Sequence, residues 1–407
     1  MLVSFTVSNF KSILDPVTLT MAVDADDDTY KEALIKTDDG YLNPVSVIYG
    51  PNGSGKTSIY RAFMQMKKLI LHGVPSYSYN KSKDKNGLCH RSSESADVNM
   101  EAVFIQGGSM YRVTVCLAPD GMSGDLELIG ERGTETVATY DRKLKILSGG
   151  FAPKEGYGPE HVKNLTDFFR LISVFDSIEN MVEKTHVFSK DEGLAMLEEQ
   201  GELDQGAWFI DNDNGHIQSM LFTKLLMAFG TGIEAVEFKL CEGKYQNVTV
   251  PEIMVYKDFE IPIKEESSGT RRLIRIAFIL SHVLLYGGQV VMIDELDAGL
   301  HDVMLTEIVK NFLKYNNRLS PEKRSQFIFS THNTCLMGSK LLRKDQIWFT
   351  EMKDHHHTEL YSLSDLKDSP RPTADFAMQY LEGRYGALPE VPAWKEEAEE
   401  EGDDEPL

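Results

Sequence analysis

The sequence predicts an α/β fold, and three features of its pattern carry that prediction. Short strand patterns separated by turn residues run from residue 2 to about residue 148. From about residue 248 onward, apolar strand patterns alternate with helical patterns, which is typical of a parallel sheet covered by helices. Near residue 50, a short apolar strand leads through a glycine-rich stretch directly into a helix. A strand-rich lobe joined to an α/β core accounts for all three features.

The predicted elements of these two parts follow in chain order. Residues 2–7 alternate like a strand, and VSVIY at 45–49 is typical of a buried strand. A helix follows the glycine-rich stretch and ends at Gly73, and a hairpin is predicted over 98–117 around the turn QGGS. The second part is predicted to contain strand-like sequence at 248–263, helices at 272–286 and 303–315, and strands at 289–293, 326–330, 346–350 and 359–363.

The middle of the chain has helical periodicity instead. Apolar residues recur at helical spacing through 160–185, a weaker helix is predicted near 191–200, and another runs from 216 to 229. The last 14 residues, from Trp394, carry eight acidic side chains and one lysine, a composition typical of a disordered tail. We therefore divide the chain into the N-terminal part of one domain at 1–150, a helical insertion at 151–247, the C-terminal part of that domain at 248–390 and an acidic tail at 391–407.

Composition narrows the classes of function. The 407 residues include 63 acidic and 42 basic side chains, a net charge of −21, so any contact with nucleic acid must be local. The four cysteines lie far apart without a CxxC pair, which indicates neither a zinc site nor a disulfide framework. There is no signal-peptide pattern and no apolar run approaching the roughly 20 residues that a membrane helix needs. We expect a cytoplasmic protein with no membrane partner.

The glycine-rich stretch GPNGSGKT at 50–57 matches the pattern G-x-x-x-x-G-K-[ST] between a strand and a helix. Glycines let backbone N–H groups turn toward phosphate oxygens, and the helix N-terminus favours the negative charge. Lys56 is placed to reach the β- and γ-phosphates, and the Thr57 hydroxyl to bind Mg²⁺. The candidate phosphate-binding residues are Gly50, Pro51, Asn52, Gly53, Ser54, Gly55, Lys56, Thr57 and Ser58.

A second motif, VVMIDE at 290–295, is a buried strand that ends in two carboxylates. Asp294 is a candidate Mg²⁺ ligand. Glu295, one residue later, is the candidate catalytic base that orients or deprotonates the attacking water. A strand that ends in two carboxylates is common by itself. Its position after the glycine-rich phosphate loop (P-loop), with a helix between them, makes VVMIDE a stronger indication of function. Together the two motifs predict a nucleotide phosphate and Mg²⁺ as ligands.

Three shorter motifs surround this strand. SSGTRR at 267–272 begins a helix, so Ser268 and Gly269 are candidate γ-phosphate contacts, although serine and glycine are also common helix caps. In LDAGLH at 296–301, Asp297 is a candidate brace for a partner's loop, and His301 is either near the site or a cap. FIFSTHN at 327–333 is a buried strand whose His332 is a candidate catalytic contact with the γ-phosphate.

The order of these motifs resembles the head class of ATP-binding-cassette (ABC) ATPases, which includes the Rad50, SMC and RecF ATPases. FTVSNFKSI at the start is similar to the first strand of that group. A closer resemblance is to prokaryotic AAA15 or AAA21 ATPases, including the RloA/AbiL-type abortive-infection ATPases related to the overcoming-lysogenization-defect ATPases. This resemblance covers most of the chain and rests on EESSGTRRLI, IDELDAGLH, LLRKDQIWF, ELYSLSDL and YLEGRYGALP.

The resemblance implies an ABC-type P-loop ATPase head with a compact helical insertion. It implies a head-to-tail dimer or higher homo-oligomer in which the SSGT loop of one protomer closes over the ATP of the other. It also implies a sensor or regulator in anti-phage defence that controls a separately encoded effector, often a nuclease. No acidic nuclease set follows residue 334, so we expect the effector to be a different chain.

LSGG at 147–150 has the letters of an ABC signature but not its context. It lies 144 residues before Asp294, because 294 minus 150 is 144, and follows a strand-rich stretch. The next residues, FAPKEGYGP, contain two prolines and two glycines that oppose a helix. Because no helix follows it, this loop lacks the helix N-terminal dipole that favours a phosphate. We expect LSGG to form a turn.

Two alternatives of function remain open at this point. The main one is a RecF- or Rad50-like DNA-repair ATPase that binds DNA, and a transporter subunit is a weaker one. Arg271, Arg272 and Arg275 could face DNA, or pair with phosphate or acidic neighbours. DHHH at 354–357 lies between two predicted strands, and consecutive histidines on a strand point to opposite faces, so we expect an exposed turn rather than a metal cluster.

Overall fold

The computed structural model describes residues 1–24, 27–72, 88–90, 92, 97–118, 121–130, 133–140, 147–148, 182–188, 209–210, 213–241, 248–367 and 374–389. Three predictions lie outside these residues. They are the helical run up to Met181, the helix near 191–200 and the acidic tail from residue 391. The division of the chain into 1–150, 151–247, 248–390 and 391–407 stays a proposal.

The strand-rich lobe is a seven-stranded antiparallel sheet in the order β10-β9-β8-β7-β6-β1-β2. Its hairpin is confirmed, because Gln106 pairs with Ser109 and the two glycines between them have positive φ, 58° and 79°. The strands are β1 Leu2–Ser8, β2 Val17–Thr20, β6 Val98–Gln106, β7 Ser109–Ala118, β8 Gly121–Gly130, β9 Gly133–Tyr140 and β10 Leu147–Ser148. A separate small hairpin joins β3 Ile35–Thr37 to β4 Gly40–Leu42.

The core is a six-stranded sheet in the order β11-β16-β17-β5-β18-β19, parallel except for the last pair. Its strands are β5 Val45–Tyr49, β11 Thr185–Phe188, β16 Val290–Ile293, β17 Gln326–Ser330, β18 Ile347–Lys353 and β19 His357–Ser362. The strand before the glycine-rich loop, β5, and the strand before Asp294, β16, are both neighbours of β17. The carboxyl end of β17 therefore lies between the two principal motifs.

Helices cover both faces of the core sheet. Helix α1, Lys56–His72, shares one hydrophobic cluster with the lobe sheet and with the face of the core sheet that includes Ile48 and Met292. The opposite face, with Val47 and Ile293, packs against the other helices. These are α2 Asp213–Ala228, α3 Ser268–Tyr286, α4 Asp302–Asn316, α5 Cys335–Gly338 and α6 Phe376–Leu381. None of the described helices is long and apolar enough to cross a membrane.

A third sheet contains β12 Phe209–Ile210, β13 Ala235–Cys241, β14 Val248–Val255 and β15 Glu260–Pro262. The sequence did not predict β13, nor β11 at the end of the helical run. Strand β11 has only four residues and becomes a strand by pairing with β16 along its whole length, a contact between residues about 100 positions apart that local periodicity cannot show.

Two smaller predictions are corrected or confirmed by the strands. Leu147 and Ser148 of LSGG form a strand paired with Tyr140 and Thr139, so the expected turn is wrong for these two residues; the two glycines lie outside the described residues. Leu147 and Ser148 add one more edge strand to the lobe sheet. The DHHH sequence forms a helical turn at Asp354–His356 between β18 and β19, where the turn was predicted.

Candidate nucleotide-binding site

The glycine-rich loop lies between β5, whose five residues are all buried, and α1. Gly50 and Gly55 have φ values of 151° and 101°, which side-chain-bearing residues rarely adopt. A Cβ on Gly50 would overlap the carbonyl and hydroxyl oxygens of Thr350, and one on Gly55 would overlap the side chain of Thr358. Both glycines are therefore fixed by backbone angle and by packing together.

Hydrogen bonds between hydroxyl groups hold this loop at Ser54 and at Ser58. The Ser54 and Thr350 hydroxyl oxygens lie 2.6 Å apart. On the other side, the Thr358 hydroxyl donates to Ser12 Oγ at 2.9 Å, and Ser12 Oγ lies 2.9 Å from Ser58 Oγ. Ser12 reaches the loop from the turn after β1, Thr350 from β18 and Thr358 from β19, and none of the three was predicted from the sequence. Since these contacts are all nonlocal, no sequence motif signals them.

Lys56 is 5% exposed and its ammonium group lies inside the loop. The Nζ atom donates to the carbonyl oxygens of Gly50 at 2.7 Å and Pro51 at 3.0 Å. Each of these neutral acceptors is a weaker partner for an ammonium group than a phosphate oxygen. The position fits the predicted contact with phosphate.

Thr57 and Asp294 meet across the sheet, as the two motifs predicted. The Thr57 hydroxyl donates to Asp294 Oδ2 at 2.7 Å, and Ser330 Oγ donates to Oδ1 at 2.5 Å. Asp294 is fully buried, and its backbone N–H donates to the carbonyl of Phe188 in β11 at 2.9 Å. Ser330, the last residue of β17, was missed from the sequence. The strand order, which places β17 beside β16, is the information that reveals it.

These oxygens fit a Mg²⁺ ion. Thr57 supplies a hydroxyl and Asp294 a carboxylate, the hard oxygen donors that Mg²⁺ prefers, and Mg²⁺ usually takes only one or two protein ligands beside phosphate oxygens and water. Beneath them, burial raises the pKa of the Tyr60 hydroxyl, and the nearby charge of Asp294 raises it further. Tyr60 therefore stays neutral beside this carboxylate.

Glu295 follows directly and has an unusual backbone. Its φ is 49°, in the left-handed region that a side-chain-bearing residue enters at a cost of about 1–2 kcal/mol. Its N–H donates to Ser330 Oγ at 2.7 Å, and its carbonyl accepts from the guanidinium group of Arg272. A strained residue at the end of a buried strand, held at both its N–H and its carbonyl, is typical of a functional position.

The SSGT sequence forms the start of α3, as predicted for SSGTRR, and the helix then runs on to Tyr286. Ser267 is the N-cap, and its hydroxyl accepts from the Thr270 N–H at 3.1 Å. Ser268 and Gly269 are the first two helical residues, and Ser268 is exposed. The cap interpretation is therefore right for Ser267, which leaves Ser268 and Gly269 available for the predicted phosphate contact.

The LDAGLH and THN loops lie beside each other. Asp297 Oδ2 accepts from the backbone N–H of His332 at 3.1 Å, and the His332 side chain is exposed. His301 is the N-cap of α4, and its Nδ1 accepts from the Val303 N–H at 3.4 Å. Of the two interpretations of His301, the structure therefore shows the cap. The proposed roles of Asp297 toward a partner and of the His332 ring toward phosphate stay predictions.

Three comparisons with known proteins bear on this arrangement. A family profile described as "AAA domain, putative AbiEii toxin, Type IV TA system" matches residues 197–338, less than half of the chain. That segment includes the SSGT turn, Asp294, Glu295, the LDAGLH loop and His332, but not the glycine-rich loop. No curated protein matched the chain.

Solved structures of SMC head domains are similar across nearly the whole chain. An SMC head bound to the C-terminal winged-helix domain of ScpA has a TM-score of 0.52 at 15% identity, covering 89% of this chain and 97% of that one. A head domain from Thermotoga maritima has a TM-score of 0.45 at 16% identity, covering 89% and 98%. An SMC head with an extended coiled coil, bound to a ScpA domain derived from Pyrococcus furiosus, has 0.46 at 14% identity, covering 94% and 99%.

The fold and the site together define a class. The chain is an α/β protein with the fold of an ABC-type P-loop ATPase head, as the sequence predicted. The family profile agrees with an AAA-type ATPase of this broad class.

Proposed function

We propose that this chain binds ATP with Mg²⁺ and hydrolyses it as one protomer of a head-to-tail dimer. The observation that carries the proposal is the hydrogen bond of 2.7 Å between the Thr57 hydroxyl and Asp294, with Glu295 as the next residue. It joins the phosphate loop, a metal-binding carboxylate and a candidate base within one site. The fold of the similar SMC heads supports the same class of chemistry.

In this proposal each residue has one task. Gly50–Ser58 surround the phosphates, and Lys56 contacts the β- and γ-phosphates. Thr57 and Asp294 would hold Mg²⁺, which would supply positive charge against the phosphates. Glu295 orients and deprotonates the attacking water, and His332 contacts the γ-phosphate. Ser268, Gly269 and Asp297 act toward the second protomer; Ser268 is exposed, and Gly269 and Asp297 are half-buried beside it and beside His332.

The test of hydrolysis compares wild type with Glu295→Gln and Lys56→Ala. The wild-type protein should release phosphate from ATP with Mg²⁺. Glu295→Gln should bind ATP, form a dimer in light scattering and release little phosphate, whereas Lys56→Ala should lose nucleotide binding. Equal turnover by Glu295→Gln and wild type would remove Glu295 from the role of base. A Lys56→Ala protein that binds ATP normally would contradict the assignment of the loop.

We further propose that the ATPase regulates a separately encoded effector, a nuclease, in defence against phage. The support for such a system is coarse: the matching profile is described as an AAA domain, a putative AbiEii toxin and a Type IV TA system, which links related domains to a toxic component. A nucleotide-dependent dimer is a two-state element that a phage signal can bias and an effector can bind. The hydrolysis step then resets the switch.

Mass spectrometry of the proteins that copurify with Glu295→Gln tests this role. The variant is purified gently from the native host with ATP and Mg²⁺, and Lys56→Ala is the matched control. A nuclease or another toxic protein that is enriched only with Glu295→Gln would support the regulatory role. Chromosomal DNA with repair proteins and no effector would contradict it.

The DNA-repair alternative gains little from the site. Of the basic run at 271–275, Arg272 donates to backbone carbonyls inside the chain, which removes it from a DNA-facing patch. The net charge of −21 also disfavours DNA binding, because the DNA backbone is negatively charged.

A further inference from the structure

Arg272 connects two parts of the site that the sequence treats as separate motifs. It lies in the first turns of α3, three residues after Gly269 of the SSGT turn. Its guanidinium group donates to the carbonyl oxygen of Glu295 and, at 3.4 Å, to that of Leu296. The Arg272 side chain therefore extends from the start of α3 to Glu295, the candidate base.

A second contact joins the same two segments. The position of a Cβ on Gly269 would lie 3.0 Å from the carbonyl oxygen of Gly299 in the LDAGLH loop, so the two backbones are already in close approach. We therefore expect Gly299 to resist a small movement of the SSGT turn. We expect Arg272 to transmit the same movement to Glu295. The segment from Glu295 to Gly299 lies between these two contacts.

Glu295 is the residue most sensitive to such a movement. Its left-handed backbone, at a φ of 49°, persists only because its surroundings hold it. Ser330 holds the N–H at 2.7 Å, and Arg272 holds the carbonyl. Ser330 lies in the buried sheet, whereas the half-buried Arg272 belongs to the first turns of α3, so Arg272 is the contact that a displacement of the SSGT turn would reach.

We propose that Arg272 is a positioning residue that links the nucleotide gripped by one protomer's SSGT turn to the Glu295 of that same protomer. The proposal rests on the head-to-tail dimer of the proposed function. In that dimer the SSGT turn touches the partner's ATP, whereas Glu295 acts on the ATP of its own P-loop. Arg272 therefore makes hydrolysis in one site depend on occupancy of the other.

Arginine suits this position for a geometric reason. Its planar guanidinium group offers several N–H donors at fixed angles and can hold two neighbouring carbonyls at once. A lysine offers a single flexible ammonium group in the same place. Lysine at 272 should therefore keep one of the carbonyl contacts and only part of the function.

The first test measures whether Arg272 holds Glu295, without any nucleotide. Hydrogen–deuterium exchange of residues 294–300 is compared between wild type, Arg272→Ala, Arg272→Lys and Arg275→Ala, which removes the same charge one turn later on α3. We expect exchange in this segment to rise several-fold in Arg272→Ala, less in Arg272→Lys and not in Arg275→Ala. Unchanged exchange in Arg272→Ala, with the fold intact by circular dichroism, would overturn the inference whether or not the protein hydrolyses ATP.

The second test measures transmission between protomers. A ¹⁵N-labelled Lys56→Ala protomer, which has lost its own nucleotide site, is mixed with unlabelled Glu295→Gln protomer and ATP with Mg²⁺. We expect ATP to slow exchange at 294–300 of the labelled protomer, and this effect to be absent in labelled Lys56→Ala/Arg272→Ala. If the mixed dimer forms in light scattering and both labelled proteins respond equally, Arg272 does not transmit. If no dimer forms with ATP, the proposed dimer fails, and the transmission fails with it.

The kinetic signature separates positioning from loss of fold. In Arg272→Ala, kcat should fall on the order of 10- to 100-fold, because a misplacement of about 1 Å in a reacting group can cost about 100-fold. The affinity for ATP, measured with a fluorescent analogue, should change less than about threefold, since the P-loop is untouched. Arg272→Lys should recover part of kcat. An equal loss of kcat and of affinity, together with a lower melting temperature, would indicate a structural role only.

Discussion

The two halves of the nucleotide site are built in opposite ways. The phosphate half, which comprises Gly50–Ser58, Asp294 and Ser330, is closed by hydrogen bonds between buried or half-buried side chains. The facing half comprises the SSGT turn at 267–270, the LDAGLH loop at 296–301 and His332. Its Ser268, His301 and His332 are exposed. The phosphate half is complete within one chain, whereas the facing half presents its groups outward, as a surface that meets a partner would.

The fully buried carboxylate of the site, Asp294, lies in the phosphate half. A buried carboxylate is tolerated only when hydrogen bonds compensate for its lost hydration, and the Asp294 carboxylate accepts such bonds from the hydroxyl groups of Thr57 and Ser330. In the facing half, the half-buried Asp297 accepts from the His332 N–H, whereas the side chains of Ser268 and His332 are exposed. Mutations of the buried residues of the phosphate half should therefore change both activity and stability, whereas mutations of the exposed Ser268 and His332 should change mainly activity.

The largest effect is expected for Asp294→Asn, which keeps the shape of the side chain and removes its charge. Without the carboxylate, Mg²⁺ loses its charged protein ligand, and a metal contributes several kcal/mol to the transition state. Since 1.36 kcal/mol is a factor of ten in rate, we expect kcat to fall by about a thousandfold. Phosphate release at saturating ATP and Mg²⁺ measures it. A loss of less than tenfold would mean that another group holds the metal.

The next effect concerns stability at low pH, on the sheet edge behind Asp294. His186 in β11 lies 3.0 Å from Gln289 Oε1, and its ring packs at 5.4 Å from that of His282. Burial lowers the pKa of His186 to about 4, and the bond to Gln289 acts in the opposite direction. The charge of Lys67, and that of His282 once it is protonated, lower the pKa further. Burial also lowers the pKa of His282. Both rings are therefore neutral in the folded protein at pH 7.

The sign of the pH effect follows from the unfolded value of about 6.5. Between pH 6.5 and 4 the unfolded chain binds a proton at His186 that the folded chain does not, so stability is lost as the pH falls through this range. Relative to His186→Gln, wild type should lose about 2 kcal/mol of unfolding free energy between pH 7 and 4.5. Denaturant unfolding at both pH values measures this difference. Parallel pH profiles for the two proteins would show that His186 is protonated in the fold.

A third and smaller effect is expected for Ser330→Ala. The hydroxyl joins Asp294 Oδ1 to the N–H of Glu295, so its removal leaves two buried polar groups short of a partner, at about 1–3 kcal/mol. We expect a lower melting temperature and a kcat reduced about tenfold, with nearly normal ATP binding. Ser325→Ala is the control. The buried Ser325 hydroxyl also hydrogen-bonds to backbone groups, but Ser325 directly precedes the opposite end of β17. If both variants lose kcat equally, the loss reflects β17 as a whole.

The sequence could predict the phosphate half in outline because its parts are local motifs. A strand, GPNGSGKT and a helix form one continuous unit, and VVMIDE places Asp294 at a strand end, so their meeting follows from the parallel sheet. Ser330 and Arg272 could not be predicted in these roles. Ser330 acts because β17 is the neighbour of β16, and Arg272 acts because α3 begins beside residue 295. Both depend on the arrangement of distant segments, for which a single sequence carries no periodic signal.

The smallest effect is expected for His301, which tests the facing half directly. As the N-cap of α4, its Nδ1 accepts from the Val303 N–H, and replacing a good cap by alanine costs about 1 kcal/mol. Asparagine caps helices well, so His301→Asn should restore the stability that His301→Ala loses. Thermal unfolding and phosphate release are measured for both variants. If His301 serves only as a cap, both keep nearly wild-type kcat. A stable His301→Asn protein with a tenfold lower kcat would instead place this imidazole beside the nucleotide, since the cap is retained and only the ring is lost.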